Sequence, residues 1–172
     1  MPIAPAAQRL IDRLGLLPHP EGGFYRETYR SEERVRRSIP AVERSACTAI
    51  YYLLADDAYS AWHRIRSDEL WHFHAGDALN VYVLEAGGGV TTHRLGPSVE
   101  DEQSAYQAMV PAGRWFAAER VTGAHGYTLV GCTVAPGFEF SEFALAESRA
   151  LLESHPAHGD LILRLATGSS KR

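Results

Sequence analysis

The chain has 172 residues, 45% of them apolar and 22% charged, which is the make-up of one ordinary globular domain with a full core. A formal net charge of −4 excludes the basic field that draws nucleic acid or an anionic membrane surface. No stretch approaches the ~18 consecutive apolar residues of a membrane span.

In chain order, residues 5–15 read as a short helix, with Leu10, Ile11 and Leu14 on one stripe and Gly15 where a C-cap belongs. Arg9, Asp12 and Arg13 break the apolar run that a signal peptide would need, so a cytoplasmic location is expected. Pro18 and Pro20 forbid continuation of the helix. From Phe24 to Phe143 the pattern changes to about ten short strands, rich in aromatic and β-branched residues. They include Ala46–Leu54, Ala61–Arg66, Leu70–Phe73, Leu79–Leu84, Tyr127–Val134 and Phe138–Phe143, separated by turn signals such as Gly87-Gly88-Gly89 and Pro136-Gly137. With no helices between them, these strands predict a mainly antiparallel all-β sandwich or barrel rather than βαβ units. Residues 144–166 return to helix, and Gly168–Arg172 reads as a tail. Cys47 and Cys132 each sit alone in an apolar run, which fits buried, unreactive thiols in a reducing compartment.

The chemistry concentrates in the run Trp62–Asp77, WHRIRSDELWHFHAGD. Strand parity puts His63 and Ile65 on one face, with Trp62, Arg64 and Arg66 on the other. The less charged face is expected inward, leaving Trp62 beside two arginines as a surface that asks for a cover. On the next strand Glu69, Trp71 and Phe73 share a face, opposite His72 and His74. A pocket with His63 and Glu69 as its working pair and Ile65, Trp71, Phe73 and Phe116 as its walls follows from that sorting. Upstream, PHPEGGFYRETYRS (residues 18–31) supplies Tyr25, Arg26, Glu27 and Thr28 as candidate rim contacts to the cavity or across a dimer, arginine and hydroxyl together suiting a carboxylate or phosphate. Downstream, CTVAPGFEFSEF offers Glu139 and Glu142 on opposite strand faces; parity leaves open which one faces the pocket, and Glu139 is carried as the candidate.

These three segments resemble the branch of the cupin superfamily catalogued as a domain of unknown function, over roughly residues 7–165. The resemblance implies a double-stranded β-helix, or jelly-roll, barrel filling a single domain over residues 1–172, with helix at 5–15, barrel at 24–143 and helices at 144–166. It also implies a homodimer. Cupins carry H-x-H, three or four residues, E, six residues, G, and later P-x-G-x-x-H. His63, Glu69 and Gly76 fall on the first spacing, whereas Ile65 and Phe116 stand at the two remaining histidine positions. That leaves His63 and Glu69 as the only ligands for any metal, too few to hold a divalent ion well. No cofactor is therefore expected. The branch also resembles sugar-nucleotide 3,5-epimerases, in which the histidine at the position of His63 is the base. The expected function is a metal-independent small-molecule cupin, an isomerase or epimerase of a sugar or nucleotide-sugar with His63 as base and Glu69 or Glu139 orienting it. A non-catalytic sugar- or nucleotide-binding module and a metal-dependent oxygenase or isomerase stay open as alternatives, the last recruiting His72 or His74 through a strand bulge. Substrate and pathway are not legible.

Overall fold

The computed structural model describes residues 3–38 and 41–168; the tail beyond Gly168 lies outside them. Helix α1 (Pro5–Leu14) ends on Gly15 in the left-handed conformation, the role a C-cap glycine fills without steric cost. Thirteen strands follow: β1 (Leu17–Pro18), β2 (Phe24–Arg30), β3 (Arg34–Arg37), β4 (Val42–Ser45), β5 (Thr48–Ala55), β6 (Tyr59–Arg64), β7 (Asp68–Gly76), β8 (Leu79–Leu84), β9 (Val90–Leu95), β10 (Gln107–Val110), β11 (Phe116–Arg120), β12 (Tyr127–Ala135) and β13 (Ala144–Leu145). Helices α2 (Ser148–Ser154) and α3 (Gly159–Arg164) close the described chain. The strands form a six-stranded sheet, β1-β2-β5-β12-β7-β10, facing a five-stranded sheet, β13-β6-β11-β8-β9, with every named pairing antiparallel. This is the expected jelly roll. The hairpin β3–β4 stands apart.

Apolar side chains fill three layers. Between the sheets, Tyr52, Leu54, Trp71, Val130 and Cys132 meet Ile65, Val81, Val83 and Phe116. Outside the larger sheet, α1 lays Ala7 and Ile11 on Leu53, Ala55 and Leu129. Residues 48–55 therefore read as nearly continuous apolar sequence because β5 is covered on both faces. Outside the smaller sheet, Leu151, Ile162 and Leu165 of the C-terminal helices cover Trp62, Leu84 and Ala117. Trp62 is 1% exposed, so its cover comes from its own chain rather than from a second subunit.

Two expectations change. Residues 138–143 are not a strand: Phe140–Glu142 wind into a single 3-10 turn after Pro136-Gly137. The hairpin β3–β4 was not anticipated; its arginine-rich strands carry no alternating apolar face to mark them. No helix among the described residues is long and apolar enough to cross a membrane.

Candidate functional site

The PHPEGG turn builds the floor of the site. The His19 N–H donates to the Gly23 carbonyl and the Gly22 N–H to the His19 carbonyl, both at 3.0 Å. Gly22 and Gly23 have φ of 113° and 70°, and a Cβ on Gly22 would overlap the Tyr59 carbonyl. Gly22 thus lets the turn press against β6, where the Ala61 N–H donates to the Glu21 carbonyl at 2.8 Å, while Gly23 lies against the Leu53 carbonyl of β5. That contact carries the Glu21 side chain into the barrel, 8% exposed.

There Glu21 meets His63. Glu21 Oε2 lies 3.0 Å from His63 Nε2, and Ser60 Oγ donates to Glu21 Oε1 at 2.9 Å. On the other edge of the imidazole, Nδ1 lies 2.8 Å from the Ala61 carbonyl oxygen. A carbonyl only accepts, so Nδ1 carries a hydrogen and Nε2 faces Glu21 across a gap that needs one proton. Phe116 packs against the ring at 4.0 Å between centroids and Phe143 at 5.5 Å, which keeps water from it. Burial pushes His63 down to about 4 and pushes the Glu21 carboxyl up. Burial disfavours a lone charge on either partner, so the gap is bridged by one shared proton that leaves the pair without net charge. The pair can take up a proton, ending as carboxylic acid beside imidazolium, or give one up, ending as carboxylate beside neutral imidazole.

The pair opens into a cavity of about 350 Å³, at the small end of ligand sites. Glu69 reaches it from β7, as its spacing predicted, and stands beside the Cys132 thiol. Burial, and secondarily the charge of Glu21, push Glu69 up to about 8, leaving a neutral carboxylic acid able to donate a hydrogen bond at neutral pH. Burial, then Glu69, raise the Cys132 thiol well above its ordinary range; it is a quiet wall. Ile50, Ile65, Val134, Phe138 and Phe143 make much of the remaining surface.

At the mouth, Thr28 is the extra residue of a bulge: Glu27 pairs with Ile50 and Tyr29 with Ala49. The bulge turns Arg30 onto the inward face shared by Tyr25 and Glu27, and leaves Thr28 outside the lining with its hydroxyl on the Ala49 carbonyl at 3.2 Å. Arg30 grips Glu27 in a two-point contact at 2.9 and 2.8 Å and Glu139 at 2.9 Å. Arg26 lines the mouth without an ion pair among the described residues.

Of the residues picked out by sequence, Tyr25, Arg26, His63, Ile65, Glu69 and Glu139 line the cavity. Thr28 does not, for the reason just given. Trp71 and Phe116 are 1% exposed and lie behind the lining, Phe116 as the backing of His63; Phe73 packs further along the same core. The carboxylate that orients His63 is Glu21, not Glu69 or Glu139. Glu142, the other open choice, pairs instead with Arg37 at 2.7 Å and Arg44 at 3.1 Å in the hairpin. A bulge does occur in β7, at His74, but it brings neither histidine to the cavity. His72 lies against the Thr133 hydroxyl, and His74 against the Tyr51 ring on the outer face of the sheet. Among the described residues, no three His, Cys, Asp or Glu side chains are grouped so as to hold a metal ion. Glu27 lines the mouth as the rim reading had it; sequence reasoning missed His19, Glu21, Arg30 and Tyr52, and an acidic residue joined to a Gly-Gly pair was the one available signal for Glu21.

The family model described as cupin superfamily (DUF985) matches residues 8–146. The chain belongs to that family. A hypothetical protein from Leishmania major has a structure similar to this one, with a TM-score of 0.85 and 34% identity over 93% of this chain and 98% of that one. A protein from Shewanella oneidensis is similar at a TM-score of 0.83 and 37% identity, covering 98% and 100% of the two chains. An uncharacterized protein of Saccharomyces cerevisiae is 27% identical over 83% of this chain and 76% of its own length. Oxalate decarboxylase from Bacillus subtilis shares the cupin fold alone, at 12% identity, a TM-score of 0.53 and 37% of that longer chain.

Proposed function

We propose that this cupin is a metal-independent enzyme that moves a proton on a small polar ligand, with an isomerase or epimerase acting on a sugar or nucleotide-sugar as the class of reaction. The observation that carries the proposal is the Glu21–His63 pair: a carboxyl and an imidazole 3.0 Å apart, buried, sharing one proton and facing a cavity of ligand size. Proton abstraction next to a carbonyl needs a group that accepts a proton without water competing for it. When the pair takes that proton, its charge goes from zero to plus one as the ligand's goes from zero to minus one, so the closed site stays balanced. The proton then returns to the opposite face of the same carbon (epimerisation) or to its neighbour (isomerisation). Neutral Glu69 supplies a hydrogen-bond donor in the same cavity, and the apolar wall suits the C–H face of a sugar ring. The rim offers Arg26 and Arg30 to the polar end of a ligand, with Glu27 and Glu139 balancing Arg30.

The test is wash-in of solvent deuterium. Free ketoses, aldoses and their nucleotide diphosphate conjugates are incubated with the protein in deuterium oxide and followed by proton NMR. Loss of a carbon-bound proton signal with wild type, and at least a hundred-fold slower loss with His63→Asn, is the expected result. A ligand that raises the melting temperature while none of the panel exchanges a proton would replace this reading with that of a binding module.

A further inference from the structure

We infer that His19 is a second catalytic residue, a neutral imidazole whose Nε2–H donates a hydrogen bond to the carbonyl oxygen of a small hydroxy-carbonyl ligand as negative charge develops there. The inference rests on the proton-transfer reading of the Glu21–His63 pair.

The local geometry sets the tautomer. The Glu21 backbone N–H donates to His19 Nδ1 at 3.2 Å. A nitrogen that accepts a backbone N–H bears no hydrogen, so in the neutral ring the hydrogen sits on Nε2. Glu21 Oε2 lies 3.6 Å from the same Nδ1, beyond hydrogen-bond distance, and does not displace that donor. The ring is fixed in orientation by aromatic contacts: Tyr25 edge-on at 4.5 Å, Tyr52 edge-on at 5.9 Å and Phe140 stacked at 5.9 Å. Its side chain is 7% exposed and lines the cavity, and Nε2 has no protein partner among the described residues. Burial lowers the basicity of His19, partly opposed by Glu21 and reinforced by His63, so the ring stays neutral where the pair works.

A neutral imidazole N–H is the right donor for such an oxygen. It stabilises the developing charge without giving up its proton, so the enolate is not protonated on oxygen and the carbon can be reprotonated. In the balanced step the C–H bond breaks, its proton goes to the Glu21–His63 pair, and its electrons form the C=C bond. The carbonyl π electrons move to oxygen, facing Nε2–H. No oxidant or further reactant is needed. The Glu21 residue thus serves both histidines, its side chain holding His63 and its backbone N–H holding His19.

Two measurements on the full chain test this. Protein labelled with 15N-histidine, with His19→Phe providing the assignment, is expected to show His19 at pH 7 as the neutral Nε2–H tautomer; an Nδ1–H tautomer or an imidazolium would overturn the inference. The second uses dihydroxyacetone in deuterium oxide as the probe. His19→Phe is expected to lower kcat for proton exchange about a hundred-fold with little change in KM. His19→Gln, whose side-chain amide can place an N–H near the same point, is expected to recover most of that loss. Exchange abolished by His63→Asn yet untouched by His19→Phe defeats the inference and leaves the proton-transfer reading standing. Failure of the wild type to exchange dihydroxyacetone defeats the inference; the proton-transfer reading falls with it only if no member of the sugar and nucleotide-sugar panel exchanges a proton either.

Discussion

At the scale of single residues, Glu69 makes the cavity's electrostatics measurable without knowing the ligand. Its folded pKa of about 8 lies above the unfolded value, so the folded state holds its proton more tightly. The stability tied to that proton is fully present below about pH 4.5 and is lost as pH rises towards 8. His63, lowered to about 4, runs the other way: its contribution is present above about pH 6.5 and is lost as pH falls towards 4. The two slopes oppose each other at acid pH, which leaves a net fall of about 1 kcal/mol between pH 6.5 and 8. The raised carboxyl of Glu21 adds to it in sign. Urea denaturation across that range should show the fall in wild type and a clearly smaller one in Glu69→Gln. Equal slopes would mean that Glu69 is already ionised. His63, Ile65 and Glu69 were legible because the run from Ala61 to Glu69 keeps simple strand alternation to either side of its turn. Glu21 was not: its place depends on Gly22 meeting the Tyr59 backbone and Gly23 the Leu53 carbonyl, contacts made with residues far along the chain.

At the scale of elements, the cavity is capped by residues 138–143, and two sets of ion pairs hold this cap. Arg30 takes Glu139 on one side, while Arg37 and Arg44 of the hairpin take Glu142 on the other. Burial opposes ionisation of Glu142, but hydrogen bonds from Arg44 and Arg37 outweigh it and hold its carboxyl below the usual range. Glu142→Gln leaves two partly buried guanidinium groups without their counter-charge. A loss of about 1–3 kcal/mol in global stability is expected, with faster proteolysis at 138–143. An unchanged cleavage rate would show that the aromatic contacts of Phe138, Phe140 and Phe143 suffice alone. The sequence pattern FEFSEF imitates strand alternation because the same spacing of aromatics also serves a turn that dips twice into a cavity. The bulge at Thr28 was hidden for a related reason: one extra residue flips parity for everything beyond it, so Arg30 replaced Thr28 at the mouth.

At the scale of the whole molecule, the jelly roll was legible because spaced turn signals and the absence of interior helices leave few alternatives. The role of the helical ends was not, because it is tertiary. Helix α1 and the C-terminal helices close the two outer sheet faces, and Trp62 belongs to that second closure rather than to a subunit interface. Trp62→Ala should cost about 3–5 kcal/mol and loosen the C-terminal helices, read as lost amide protection over residues 148–165. Protection unchanged there would show that those helices dock without it.

The claim on which the rest depends is that Glu21 and His63 act as one proton-transfer unit. A double-mutant cycle on deuterium wash-in to a ligand that wild type exchanges tests it most directly. Glu21→Gln, His63→Asn and the double variant are predicted to lose rate to nearly the same extent, because removing either partner disables the unit. Losses that multiply in the double variant, or a Glu21→Gln rate equal to wild type, would contradict it.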